Sequence, residues 1–352
     1  MSDTTRSATY SVSRLRTYHV CSTLFKYKYV DKLRDNSLSK ATLIGSSLHQ
    51  ILEDNYSPFI GIDNPPCTLS DSTILSSTNE VLSKVFVHDL TEQIKQVEAY
   101  YNIIKELYER ASEGYTGNFP IRKGDGTVAQ APEMTAAWKK EIAKLKLSDL
   151  QDNINRYIRS VDGRWENIDF FDLVLTVIKV ANKFNLDPRI KKILGVELAF
   201  SPETNVIITP NTGKDGPILE AYIDLVAELQ DGQIAIIDYK SGAQDYQEVD
   251  IAYNDQLLMY SHAYEELTGE QPKYIGVYNL RSNKLILSEM VPTFREQAIS
   301  QLTSVHKDII AEKYEKKIPN KQMTNSSPCL DQFHRPCAFL ALCHPEIAAK
   351  LI

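Results

Sequence analysis

Two aspartates and a lysine sit on consecutive apolar segments of the chain. Asp224 lies in Leu219–Val226 and Asp238-Tyr239-Lys240 ends Ile234–Lys240, with the turn Gln230–Gln233 between them. Both segments read as strands, and alternation along the second places Asp238 and Lys240 on one face with Tyr239 on the other. A carboxylate on a hydrophobic strand is costly unless a partner offsets its charge. A hard divalent cation held by oxygen ligands, with a lysine beside it, is one such partner, and that combination suits phosphodiester cleavage. The other reading of the triplet alone is a hairpin with solvated end charges.

Three further segments carry residues of the same chemistry. Upstream, Ile193–Phe200 sets Glu197 inside another apolar strand. Downstream, Gln256 and Tyr260 lie one turn apart on one face of a helical stretch. Near the N-terminus, Gly45–Glu53 reads as a helix with an apolar stripe at Ile44, Leu48, Ile51 and Leu52, and His49 lies at its edge. Each has a plainer reading: a strand-end charge, an amphipathic helix, a core histidine. Their joint occurrence in this order is what carries weight.

That order, Gly45…His49, Glu197, Asp224, Asp238-Tyr239-Lys240 and Gln256…Tyr260, resembles the RecB-like branch of the PD-(D/E)XK nuclease superfamily. The resemblance runs from about Ser13 to His344, with a long non-matching segment in the middle. It implies an α/β fold, a restriction-endonuclease-like core with a mixed central sheet flanked by helices and a large helical insertion. By the same resemblance His49, Asp224, Asp238 and the backbone carbonyl of Tyr239 would bind Mg²⁺ or Mn²⁺. Lys240 would orient the attacking water or offset charge in the transition state. Gln256 and Tyr260 would position the lysine or contact DNA phosphates, and Glu197 would bind a second metal or hydrogen-bond within the site.

The cysteines extend the resemblance. Cys329, Cys337 and Cys343 crowd the C-terminal end, and Cys21 sits among aromatics and lysines in Tyr18–Tyr29. CRISPR-associated and AddB-type members with an iron–sulfur cluster have one cysteine before the nuclease core and three after it. This chain matches, apart from Ser22 where proline is usual and a wide gap between Cys329 and Cys337. Four thiolates suit a [4Fe–4S] cluster; Zn²⁺ takes the same four, with His334 or His344 able to replace one, and free buried thiols are the third option. Cys67 has no matching partner.

Four segments are expected to hold these residues. Residues 1–56 form an N-terminal arm and the His49 helix, 57–190 a helical insertion, 191–290 the nuclease core, and 291–352 a helix and the cysteine segment. Within the insertion, helices are predicted over about Ser70–Ser112, Ala136–Leu147 and Phe170–Phe184, with a loop through Gly114–Gly126. Strands follow at Tyr274–Leu280 and Lys284–Leu287, then a helix over about Thr293–Glu315. Thr212–Gly216 reads as a hairpin turn rather than a phosphate loop, since it lacks the glycine spacing and the Lys-Ser/Thr ending.

A net charge of −7 makes any nucleic-acid contact a matter of local positive charge. Arg14, Arg16, Lys26, Lys28, Lys32, Arg34 and Lys40 face only Asp31 and Asp35 across Arg14–Lys40, with Tyr18, Phe25, Tyr27 and Tyr29 interleaved. Such a stretch suits a single strand; a solvated helix with aromatics packed inward reads equally well. The polar start, Met1–Thr5, shows no secretory signal, and no apolar run is long enough to span a membrane. With an uneven cysteine set these features suit a reducing, cytoplasmic setting, phage-encoded being one option.

The expectation is therefore a metal-dependent DNA exonuclease acting on single-stranded DNA or duplex ends, in recombination, repair or phage DNA metabolism, with a separate helicase or recombination partner. The alternatives are a DNA-binding or assembly subunit with weak or structure-specific endonuclease activity, and an iron–sulfur redox protein.

Overall fold

The computed structural model describes residues 9–33, 39–112, 146–161, 168–200, 217–242, 245–315, 329 and 337–349, with the side chains of 106–112, 161 and 347 left aside. The Gly114–Gly126 loop, the start of the Ala136–Leu147 helix, the Thr212–Gly216 turn, Arg34, Asp35 and His334 lie outside the described residues.

A five-stranded sheet organises the chain. Its strands are β2 (Ile190–Phe200), β4 (Ala221–Leu229), β5 (Ile234–Lys240), β6 (Tyr274–Asn279) and β7 (Lys284–Glu289), side by side in that order. Only the β5–β6 pair is parallel. A parallel neighbour needs a crossover, and residues 241–273 supply one containing α8 (Glu248–Ala252) and α9 (Asp255–Thr268). Before the sheet, β1 (Thr9–Tyr10) pairs in parallel with β3 (Ile218–Leu219). In β6, Gly276 permits a close approach: a Cβ there would fall 2.9 Å from the Ile286 carbonyl oxygen and 2.6 Å from Leu287 Cδ2.

Both faces of the sheet are covered, which is why Ile234–Ile237 reads as a continuous apolar run. One face packs against α3 (Lys40–Tyr56), α4 (Asp71–Phe86), α5 (Thr91–Ser112), α6 (Leu147–Val161) and α7 (Phe170–Lys183). Leu225, Ile237, Tyr239 and Tyr278 share that cluster with Ile51, Phe86, Phe170 and Val174. The apolar stripe of Phe170–Lys183 is thus a buried helix, and no helix among the described residues is long and apolar enough to cross a membrane. The other face packs against α1 (Val12–Val20), α9 and α10 (Pro292–Ile310), through Leu15, Leu257, Met259, Ile299 and Leu302.

Two boundaries differ from the sequence expectation for identifiable reasons. The Ser70–Ser112 stretch breaks into α4 and α5 because Val87 adopts a left-handed conformation (φ 59°). Asn79 then accepts from the Leu90 amide and Asp89 from the Thr91 amide, so side chains satisfy the donors at the new helix start. The helix expected to reach Glu315 ends at Ile310, and Glu312 turns the chain with φ 52°.

Candidate active site

Strand register brings three carboxylates into one row. The pairs Val196↔Leu225 and Leu198↔Ile223 set Glu197 of β2 opposite Asp224 of β4. Leu225↔Ile237 is the last residue pair of β4 and β5, so Asp224 and Asp238 follow it at the same level. Where that ladder stops, Asp224 Oδ2 accepts a 2.6 Å hydrogen bond from the Tyr239 amide. Asp224 is 8% exposed and Asp238 4%. Three carboxylates abreast at the edge of an apolar sheet repel one another, and burial removes the water that would screen them.

Basic groups approach from both sides of the row. From α3, His49 Nδ1 lies 3.6 Å from Glu197 Oε1 and 3.5 Å from Asp224 Oδ1. Lys240 Nζ comes within 2.5 Å of Asp238 Oδ2. That helix is held close to β5 at Gly45, where an added Cβ would stand 3.2 Å from the Ser241 hydroxyl. A second support comes from α9. Asn254 caps it by accepting from the Gln256 and Leu257 amides, which fixes the first turn. The Gln256 side chain then donates to Asp238 Oδ1 at 3.0 Å and to the Tyr260 hydroxyl at 2.9 Å. The residues singled out from sequence for the metal and catalytic site, His49, Glu197, Asp224, Asp238, Tyr239, Lys240, Gln256 and Tyr260, thus meet at one end of the sheet. Tyr239 alone turns its side chain away, into the apolar cluster under α3.

The electrostatics follow from burial and crowding. Burial pushes the Asp224 carboxyl up to about 7; Asp238 and Glu197 add to this, against the opposing effects of His49 and the Tyr239 amide. For His49, burial works to lower the pKa, but contact with Glu197 and the charges of Asp224 and Asp238 outweigh it and raise it. Burial likewise acts to lower the Lys240 pKa, and Asp238 and Asp224 overcome it, so the ammonium form is held.

His49, Glu197 and Asp224 each offer a ligand atom, and these lie within 4.8 Å of one another. Asp238 stands outside that compact group, gripped by Lys240 and Gln256. Its Oδ2, buried, faces the Lys240 ammonium, and its Oδ1 accepts from Gln256. One imidazole nitrogen with carboxylate oxygens is a donor set that fits Mg²⁺ or Mn²⁺. Glu197 adds a feature invisible in sequence: its backbone is left-handed, with φ 44°, in the middle of a strand. A non-glycine residue held there carries strain of order 1–3 kcal/mol, a feature that clusters at functional sites.

The cysteines present a different picture. Among the described residues no group of three other than His49, Glu197 and Asp224 gathers its ligand atoms within 4.8 Å, so the four thiols do not form a compact ligand set. They are neighbours nonetheless. Burial, then Cys21, Cys337 and Cys343 in turn, push the Cys329 thiol up to about 11. The Cys337 amide donates to the Cys329 carbonyl at 2.8 Å. Cys21 caps the short helix α2 (Ser22–Phe25), accepting from the Leu24 amide at 3.4 Å. Cys343 belongs to α11 (Leu340–Cys343), which precedes α12 (Pro345–Ala348). His344 lies 3.6 Å from Glu346, and Cys67 is exposed.

Sequence reasoning did not single out Ser241, Asn254 or the strain at Glu197. An asparagine two residues before Gln256 at a helix start was a legible capping signal; the other two depend on tertiary approach. The family model for the PD-(D/E)XK nuclease superfamily matches residues 9–344. No curated protein matches the chain significantly.

Proposed function

Because the chain belongs to the PD-(D/E)XK nuclease superfamily, a group of metal-dependent nucleases acting on DNA, we propose that it is a RecB-like deoxyribonuclease using Mg²⁺ or Mn²⁺. We infer exonucleolytic action on single strands or duplex ends, in recombination, repair or phage DNA metabolism. The observation carrying this reading is the register-aligned row Glu197–Asp224–Asp238, flanked by His49 and Lys240.

In this reading His49, Glu197 and Asp224 hold a divalent ion, and Asp238 stands beside it, paired with Lys240. Such an ion, when bound, polarises a phosphate oxygen and lowers the pKa of a ligated water. The protein's own groups do the positioning. Tyr260 fixes the Gln256 amide, Gln256 fixes Asp238, and Asp238 fixes the Lys240 ammonium. Held protonated, Lys240 is an electrostatic partner for charge growing on the phosphate and a donor that orients the attacking water, rather than a general base. The Gln256–Tyr260 contact supports the RecB-like assignment.

The four cysteines form a second element of the proposal. A single zinc ion, with Zn–S bonds of about 2.3 Å, needs its four sulfurs drawn tightly together. A four-iron cluster interposes its own body between them. From the resemblance we infer that Cys21, Cys329, Cys337 and Cys343 would hold an iron–sulfur centre, with Zn²⁺ as the alternative.

The deciding experiment compares an end-labelled single strand with a closed single-stranded circle, with and without Mg²⁺. Degradation of the linear strand alone is expected. Cutting of both would make the enzyme an endonuclease, and no cutting of either would favour a DNA-binding or assembly subunit.

A further inference from the structure

Within an acidic chain, the described residues from Val12 to Leu33 hold Arg14, Arg16, Lys26, Lys28 and Lys32 against the single carboxylate of Asp31. That carboxylate is taken: Lys26 Nζ pairs with it at 2.6 Å. Lys40, further on, pairs with Asp172. Arg14 and Lys28 are handled differently. The Arg14 guanidinium lies 5.1 Å from the centre of the Tyr29 ring, and the Lys28 ammonium 5.6 Å from the same centre. Neither has an ion-pair partner among the described residues.

Two cations drawn to one ring repel each other. The aromatic quadrupole offsets part of that cost, at about 0.5–1 kcal/mol per exposed contact. What it leaves is a doubly positive spot with no paired carboxylate among the described residues. The spot is also well anchored. Tyr29 packs on Phe25, centroids 5.2 Å apart, and Phe25 is 3% exposed. The backbone here is a single π-helical turn, Lys26–Val30, closed by the Asp31 amide on the Lys26 carbonyl at 2.8 Å. Turns of this kind are rare and concentrate at functional positions.

Phe25 belongs to the apolar cluster that contains Leu257, Met259 and Tyr260, and Tyr29 packs against that cluster. Helix α1, which carries Arg14, packs on α9, whose Gln256 and Tyr260 hold Asp238. The cations are therefore built onto the same packed layer as the helix that supports the candidate active site.

We propose that Arg14 and Lys28, gathered around Tyr29, form a binding site for the backbone phosphates of single-stranded DNA, separate from the carboxylate row; this rests on the nuclease reading above. Charge complementarity favours a polyanion over any other occupant. A single strand fits better than a duplex because its backbone can bend to bring successive phosphates to two charges crowded round one ring. A duplex instead presents two backbones set apart by its grooves. Arg14 can engage a phosphate through two parallel N–H donors, and Lys28 as a point charge.

The test is binding of a labelled oligothymidylate in EDTA, followed by fluorescence anisotropy over a range of salt concentrations. Each phosphate contact on a single strand contributes about 0.7 to the slope of log K against log salt. Arg14→Gln/Lys28→Gln is expected to bind at least about 10-fold more weakly at low salt, with a slope shallower by about 1.4. The charge-matched Lys179→Gln/Lys183→Gln control, on exposed lysines of α7, keeps wild-type slope and affinity. Lys28→Gln alone, at an exposed position, should lose about 0.7 and serves if the double variant folds poorly. Wild-type slope in the double variant, or a loss equal to that of the control, overturns this site while leaving the nuclease reading intact. Failure of the wild-type chain to bind or cut DNA overturns both.

Discussion

The carboxylate row and the cysteine end are built from similar materials, a few ligand side chains contributed from distant parts of the chain, yet they are organised in opposite ways. Glu197, Asp224 and Asp238 are aligned by hydrogen-bonded strand register, and His49, Lys240 and Gln256 are held against them by packed helices. The four cysteines sit on short helices and turns at the two ends of the chain, and no three of their sulfurs lie within 4.8 Å of one another. A sheet pre-positions charged groups even when they repel, because the backbone ladder sets their spacing. Thiols on short elements have no comparable scaffold. The first region should therefore control chemistry and the second cohesion.

The largest effect expected is on cleavage. Lys240→Ala or Asp238→Ala should lower the rate by about 10²- to 10³-fold, the usual cost of removing one preorganised electrostatic group. DNA binding measured by anisotropy should survive. Wild-type cleavage by Lys240→Ala would break the division of labour outright.

Next comes the cysteine end, where Cys337→Ala should lower unfolding free energy by an amount on the order of 2–4 kcal/mol, comparable with losing a cross-link that closes a long loop. Anaerobically purified wild-type protein should be brown and contain iron and sulfide in equal amounts. Zinc without sulfide would replace the cluster with a zinc staple. A large fall in cleavage by well-folded Cys337→Ala would show that the two regions are not separable.

The pH response sharpens the same contrast. Asp224 titrates at about 7 in the fold against an ordinary 3.8, and the His49 pKa is raised as well. Both groups bind more protons folded than unfolded, so each contributes stability that is lost as pH rises through its titration range. In EDTA, Tm should fall between about pH 4 and pH 7 through Asp224 and continue to fall above the ordinary imidazole value of 6.5 through His49, and the gain in Tm on adding Mg²⁺ or Mn²⁺ should grow with pH, since the ion binds the deprotonated ligands. Asp224→Asn should flatten the fall. A wild-type curve identical to that of Asp224→Asn would remove the electrostatic strain assigned to the row.

The smallest effect concerns the backbone. Glu197 is left-handed, so Glu197→Gly should be more stable than Glu197→Ala by about 1–2 kcal/mol, although neither retains the carboxylate. Equal urea midpoints for the two variants would mean that the strand relaxes and no strain is stored.

Sequence by itself determined which residues could do the chemistry and which elements carry them. Asp224 and Asp238-Tyr239-Lys240 are legible because alternation and apolar runs are local properties. His49, Gln256 and Tyr260 are legible because helical spacing is local too. The tertiary structure alone decided that Glu197, Asp224 and Asp238 stand abreast, since register between strands is a non-local choice made by packing on both faces of the sheet. It also decided that Asp238 is held by Lys240 and Gln256 while His49 joins Glu197 and Asp224. And it decided that Arg14 and Lys28 share one ring, because residues 14 positions apart meet only when the π-helical turn folds back on α1. Patterns along a chain fix what each segment prefers; which charges end up facing one another is settled only when the segments pack.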